Sequence, residues 1–175
     1  REVESTNYFV YSQNISKFYD QRVNGGFQSY SPGTGASLVW TANSHNMDMV
    51  FVVLGCTRQY YENGWQVKVY GNFEEAQTLM NYVYSNFKAT RILYNGQALK
   101  QFHVSGADND MVAEPHLDLD TILPNDAHMD NLIMEYTDTG LTAPITKGDM
   151  VATVQVWYRN TCLHEAELYS MQDIR

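Results

Sequence analysis

Ser29-Tyr30-Ser31-Pro32-Gly33-Thr34-Gly35-Ala36-Ser37-Leu38-Val39-Trp40-Thr41-Ala42 is the stretch on which the fold reading turns. Pro32, Gly33 and Gly35 supply turn geometry, after which Ala36 to Ala42 is a β-rich run of strand length. Asn43, Ser44, His45 and Asn46 include several turn formers, and Met47 to Leu54 is again β-rich. The two runs predict an antiparallel hairpin. Val50-Phe51-Val52-Val53-Leu54 is continuously apolar, so the second run is expected to be a central strand covered on both faces.

From Asn72 the period becomes helical. Asn72 reads as an N-cap and Glu75 as its capping-box partner, a cap contributing about 1 kcal/mol. Ala76, Leu79, Met80, Val83 and Phe87 then share one face, and that face is expected to lie on the hairpin. After Ala89 the chain breaks into short runs: Arg91 to Tyr94, Leu99 to Val104, Met111 to Ala113, Asn131 to Tyr136, Met150 to Tyr158 and Cys162 to Leu168. Asn95-Gly96 reads as a type I′ turn. This density of strands predicts a small all-β sandwich. The fold class is therefore α+β: an antiparallel hairpin or sheet with a packed helix over residues 1–88, followed by a β-sandwich domain over residues 89–175.

Bulk properties narrow the function. With 44% hydrophobic and 13% aromatic residues, the chain can build a core rather than remain disordered. A net charge of −9 with no basic cluster argues against nucleic acid as a partner. No apolar run is long enough to span a membrane. No signal segment opens the chain, and Arg1 reads as the start of a processed or trimmed product. Cys56 and Cys162 could form one disulfide in an oxidising compartment, but Cys56 follows an apolar run and reads as a buried thiol.

The opening stretch resembles the third motif region of the serine D-alanyl-D-alanine carboxypeptidases, the low-molecular-weight penicillin-binding proteins, whose pattern is roughly Gly-x-Lys-Thr-Gly-Tyr-Thr-Pro-x-x-Gly-x-x-Leu-Val-x-Thr-Ala. Gly25, Tyr30, Pro32, Gly35, Leu38, Val39, Thr41 and Ala42 match it without a gap. Asn72 to Phe87 resembles the family's closing helix, and Leu141-Thr142-Ala143-Pro144-Ile145-Thr146-Lys147-Gly148-Asp149-Met150-Val151 resembles a turn of its C-terminal β domain. The resemblance implies that residues 1–88 are a remnant of the transpeptidase-like domain. Where the family keeps Lys-Thr-Gly on its substrate strand, this chain has Phe27, Gln28 and Ser29.

That departure bears directly on chemistry. The family's mechanism needs a Ser-x-x-Lys nucleophile, a Ser-x-Asn element and Lys-Thr-Gly. Replacing the Lys by Phe27 removes a charge-assisted contact, about 1.5–3 kcal/mol or roughly 10- to 150-fold in transition-state binding. Ser29 adds a side chain where the substrate backbone must approach. Ser85-Asn86-Phe87-Lys88 has the letters of the nucleophile motif, yet it follows the third motif and ends a helix whose negative dipole end disfavours an alkoxide. Ser5-Thr6-Asn7, Ser12-Gln13-Asn14 and Ser44-His45-Asn46 fit Ser-x-Asn but lie too close to Phe27 or after it. Gly33-Thr34-Gly35 lacks the Lys and leaves too few residues before Leu38. No catalytic residue is assigned.

His45, His103, His116, His128 and His164 are scattered. His116, Asp118 and His128 can be drawn as metal ligands, although an acidic solvated loop, with Asp120, Asp126 and Asp130, is the preferred reading. No metal and no cofactor are expected.

The resemblance implies a catalytically inactive carboxypeptidase-like envelope protein, extracytoplasmic and soluble as this chain, with a binding or scaffolding role in peptidoglycan metabolism. Its partners would be peptidoglycan peptides or another envelope protein, or a second copy paired through an exposed sheet edge. The alternative is a fragment or subunit of such an enzyme whose nucleophile comes from a missing segment or another chain. A third reading is an interaction module that uses Tyr60, Tyr61, Tyr70, Tyr82 and Tyr84 as contact residues.

Overall fold

Ala36, Leu38, Trp40 and Ala42 alternate with Ser37, Val39, Thr41 and Asn43, and the alternation becomes the two faces of a strand. The computed structural model describes residues 7–10, 17–138 and 140–175. Ser5, Thr6 and Ser12-Gln13-Asn14 lie outside them. The chain divides into two compact units, one ending at Lys88 and the other running Ala89–Arg175.

In the first unit, β1 (Val23–Ser31), β2 (Gly35–Ser44) and β3 (Met47–Cys56) form an antiparallel sheet in the order β1-β2-β3. His45 and Asn46 both take positive φ, 53° and 61°, so the β2–β3 connection is the tight primed turn that matches strand twist. A second hairpin follows, β4 (Arg58–Tyr60) with β5 (Val67–Tyr70), and then α1 (Gly71–Asn86). The helix packs on β2 and β3. Its contact face is Phe73, Ala76, Met80 and Tyr84, all buried, so Phe73 and Tyr84 take the places expected of Leu79 and Val83. Trp40 stacks on Phe51 at 4.9 Å, and Phe73 meets Phe9 and Phe18, each at 5.2 Å, between helix and sheet. Such aromatic pairs add about 0.5–1.5 kcal/mol each beyond their burial.

Two expectations fail here. β3 is an edge strand rather than a central one, because β2 sits in the middle. Only the face toward α1 is covered, so Val50 and Leu54 on the other face are 67% and 72% exposed. Asn72 does not cap the helix. The N-cap position is Tyr70, without a side-chain cap bond, and Asn72 is buried, donating instead to Gln28.

The second unit is mostly strand. β10 (Leu132–Asp138), β11 (Met150–Tyr158), β12 (Thr161–Ser170), β8 (Met111–Pro115) and β7 (Lys100–Phe102) make one antiparallel sheet in that order, and β6 (Phe87–Leu93) pairs with β9 (Leu119–Pro124). Ala152, Val154 and Val156 of β11 point into a core with Ile92, Leu93, Phe102, Met111 and Leu168. Asn95-Gly96 is a turn but not a type I′ hairpin, since Gly96 alone takes a positive φ, 75°, and the strands on either side pair elsewhere. Part of the stretch read as an acidic loop is strand β9. Arg91 draws it in through ion pairs with Asp118 at 2.6 Å and Asp120 at 2.5 Å. Among the described residues no helix is long and apolar enough to cross a membrane.

Candidate functional site

Phe27, Gln28 and Ser29 lie in the middle of β1, the other edge strand of the sheet. The backbone enters this position through Gly26, which has no room for a side chain: a Cβ there would stand 2.5 Å from the Val39 carbonyl oxygen and 2.8 Å from Trp40 Cβ. Pairing places Phe27 opposite Val39, and Val39 opposite Val52. The result is an apolar row across all three strands on the face away from α1. Phe27 is 72% exposed at the end of that row. Gln28 points the other way, and its Oε1 accepts a hydrogen bond from Asn72 Nδ2 at 3.4 Å. Ser29, opposite Ser37, is exposed.

The side-chain chemistry at this edge is therefore apolar contact at Phe27 and a hydroxyl at Ser29. No cation stands in the triplet to orient a carboxylate. Among the described residues, the remaining candidates are not brought to it. Ser85 is exposed in the last turn of α1, and Lys88 follows on β6. Ser44 closes β2 at the turn, five residues beyond Val39, with its Oγ 3.0 Å from His45 Nδ1. Asp20 and Arg22 form an ion pair of 2.6 Å just before β1, and the guanidinium hydrogen bond holds the Asp20 carboxyl below its ordinary value.

The drawn metal set is dispersed in the same way. His116 stacks on Tyr169 at 4.2 Å and faces Glu114, Asp118 is taken by Arg91 and the Asn95 amide, and His128 precedes a 3-10 turn. Among the described residues no group of three His, Cys, Asp or Glu could hold a metal ion. Cys56 and Cys162 are free thiols; Cys56 is half-buried rather than buried, and burial raises its pKa.

Near β1, Tyr60 and Tyr61 of the third reading lie on a hairpin that the sequence reading did not pick out, although Asn63-Gly64 was a usable signal. The β4–β5 hairpin bears Tyr60, Tyr61 and Trp65, and Arg58 sits against Tyr30 of β1 with 4.9 Å between guanidinium and ring.

Residues 87–175, just over half of the chain, match the family model described as Penicillin-binding protein 5, C-terminal domain. The chain belongs to the penicillin-binding protein 5 family. Three solved structures share its fold. The penicillin binding protein 5 of Haemophilus influenzae is 24% identical, with 87% of this chain and 42% of that one covered and a TM-score of 0.58. The D-alanyl-D-alanine carboxypeptidase DacD of Francisella tularensis is 16% identical over 90% and 37%, with a TM-score of 0.63. A peptidoglycan synthesis regulatory factor (PBP3) of Streptococcus pneumoniae is 20% identical over 99% and 48%, with a TM-score of 0.66. At these identities the likeness is one of fold, and the chain spans less than half the length of each. No curated protein matches the chain by sequence.

Proposed function

We propose that this chain is a catalytically silent carboxypeptidase-like protein of the cell envelope that binds or scaffolds in peptidoglycan metabolism. In this reading residues 1–88 are the closing part of a transpeptidase-like domain and residues 89–175 a β-sandwich of carboxypeptidase type. The observation that carries it is Phe27. An exposed aromatic ring stands where the resemblance places the substrate-orienting Lys. Edge strand β1 presents an apolar side chain at Phe27, without the charge that catalysis needs at that place. Peptidoglycan peptides or another envelope protein are its partners, in an extracytoplasmic setting.

The exposed aliphatic row of Val50, Val52 and Leu54 favours a second reading, in which a further segment or another chain covers this face and supplies a nucleophile. A second copy would cover it without catalysis. Co-sedimentation with insoluble peptidoglycan tests the binding role: the chain is expected in the pellet, displaced by soluble muropeptides, and a chain that stays wholly in the supernatant would contradict it.

A further inference from the structure

The β4–β5 hairpin displays aromatic side chains that its own packing does not use. Trp65 is 85% exposed and Tyr61 50%. Their loop is nonetheless built. Asn63 Oδ1 accepts the backbone N–H groups of Trp65 at 3.2 Å and Gln66 at 3.1 Å. The Tyr61 N–H donates to the Gln66 carbonyl and the Gly64 N–H to the Tyr61 carbonyl, each at 2.9 Å, with Gly64 at φ 76°. At its base the hairpin is tied to β1: Tyr60 meets Tyr30 at 6.0 Å, and the Arg58 guanidinium lies 4.9 Å from Tyr30 and 5.7 Å from Tyr60. Tyr30 directly follows Ser29, so the aromatic strip begins at the degenerate substrate strand.

The composition of this strip selects its ligand. The large exposed hydrophobic side chains here are all aromatic, whereas those of β3 are Val and Leu. Asn63, Trp65 and Gln66 line an open hollow of about 330 Å³. A flat indole flanked by side-chain amides fits a neutral polyhydroxylated ring, whose C–H face stacks while its hydroxyls hydrogen-bond at the rim. The loop 61–66 contains no cation, and with the net charge of −9 it disfavours a polyanion. We propose that Trp65 and Tyr61 form a stacking platform for pyranose rings of the glycan strand, leaving peptide binding to β1. This rests on the cell-wall reading above and names the part of the polymer that the hairpin takes.

The test is titration of the full chain with the β-1,4-linked N-acetylglucosamine tetramer, followed by tryptophan fluorescence and the indole N–H signals. Of the three tryptophans, Trp40 is fully buried and Trp157 half-buried on β11, and the signal lost in Trp65→Ala identifies the hairpin's indole. Saturable binding is expected, shifting the Trp65 indole, with Trp65→Ala weakening it about tenfold or more and Trp65→Phe retaining most of it. No saturable binding, or equal binding by Trp65→Ala, would overturn the proposal. A peptide arm separates the two ideas. A stem peptide ending in D-Ala-D-Ala that binds regardless of Trp65, with no binding of the tetramer, would overturn the glycan platform and leave the cell-wall reading standing. Capture of a protein through Trp65 without saccharide binding would also overturn it.

Discussion

Gly26 shows how far one residue constrains the candidate site. Its missing Cβ lets β1 pass the Val39 carbonyl and Trp40, so Gly26→Ala is expected to cost about 1–3 kcal/mol in urea unfolding through overpacking. Gly33→Ala, with nothing within 4 Å of the new methyl, should change stability by less than about 0.5 kcal/mol. Equal effects would contradict this packing of β1 on β2. Asp20 gives a pH-dependent counterpart. Arg22 lowers its folded pKa from 3.8, so its contribution is fully present above the unfolded value and is lost as pH falls through the lower folded value. Acid unfolding below about pH 4 should therefore include an Asp20 component that Asp20→Asn removes, leaving a flatter stability profile over that window.

At the scale of elements, β3 carries the clearest consequence. Val52→Lys and Leu54→Glu alter only the uncovered face, so each should leave stability within about 0.5 kcal/mol. Either should also reduce any concentration-dependent association seen by sedimentation. Severe destabilisation by either would mean that the face is packed within the chain. The β2–β3 hairpin and α1 were legible because their periods of 2 and 3.6 repeat over many residues. The centrality of β3 was not, because continuous apolarity marks a strand meant to be covered without saying what covers it. Tertiary packing likewise overrode the local cap signal at Asn72, which turns inward to Gln28. Asn-Gly misled at Asn95 and went unread at Asn63, since the dipeptide specifies a tight turn but not whether its flanks pair with each other. Phe27-Gln28-Ser29 was singled out through its neighbours' resemblance and lies on β1, while the exposure of Trp65 beside Tyr61 is something that no spacing encodes.

At the scale of the whole molecule, the second of the two units has a core of its own residues and coincides closely with the matched family domain. A chain of residues 87–175 alone should therefore unfold in one cooperative transition; a non-cooperative loss of structure would contradict an independent core. We propose that a carboxypeptidase-like fold persists here without carboxypeptidase chemistry. The most direct test is the intact mass of the chain after incubation with excess benzylpenicillin, beside a competent carboxypeptidase as control. The account predicts an unchanged mass for this chain and a covalent adduct on the control. A stoichiometric, stable adduct on this chain would contradict it and would make Ser85 the first serine to replace.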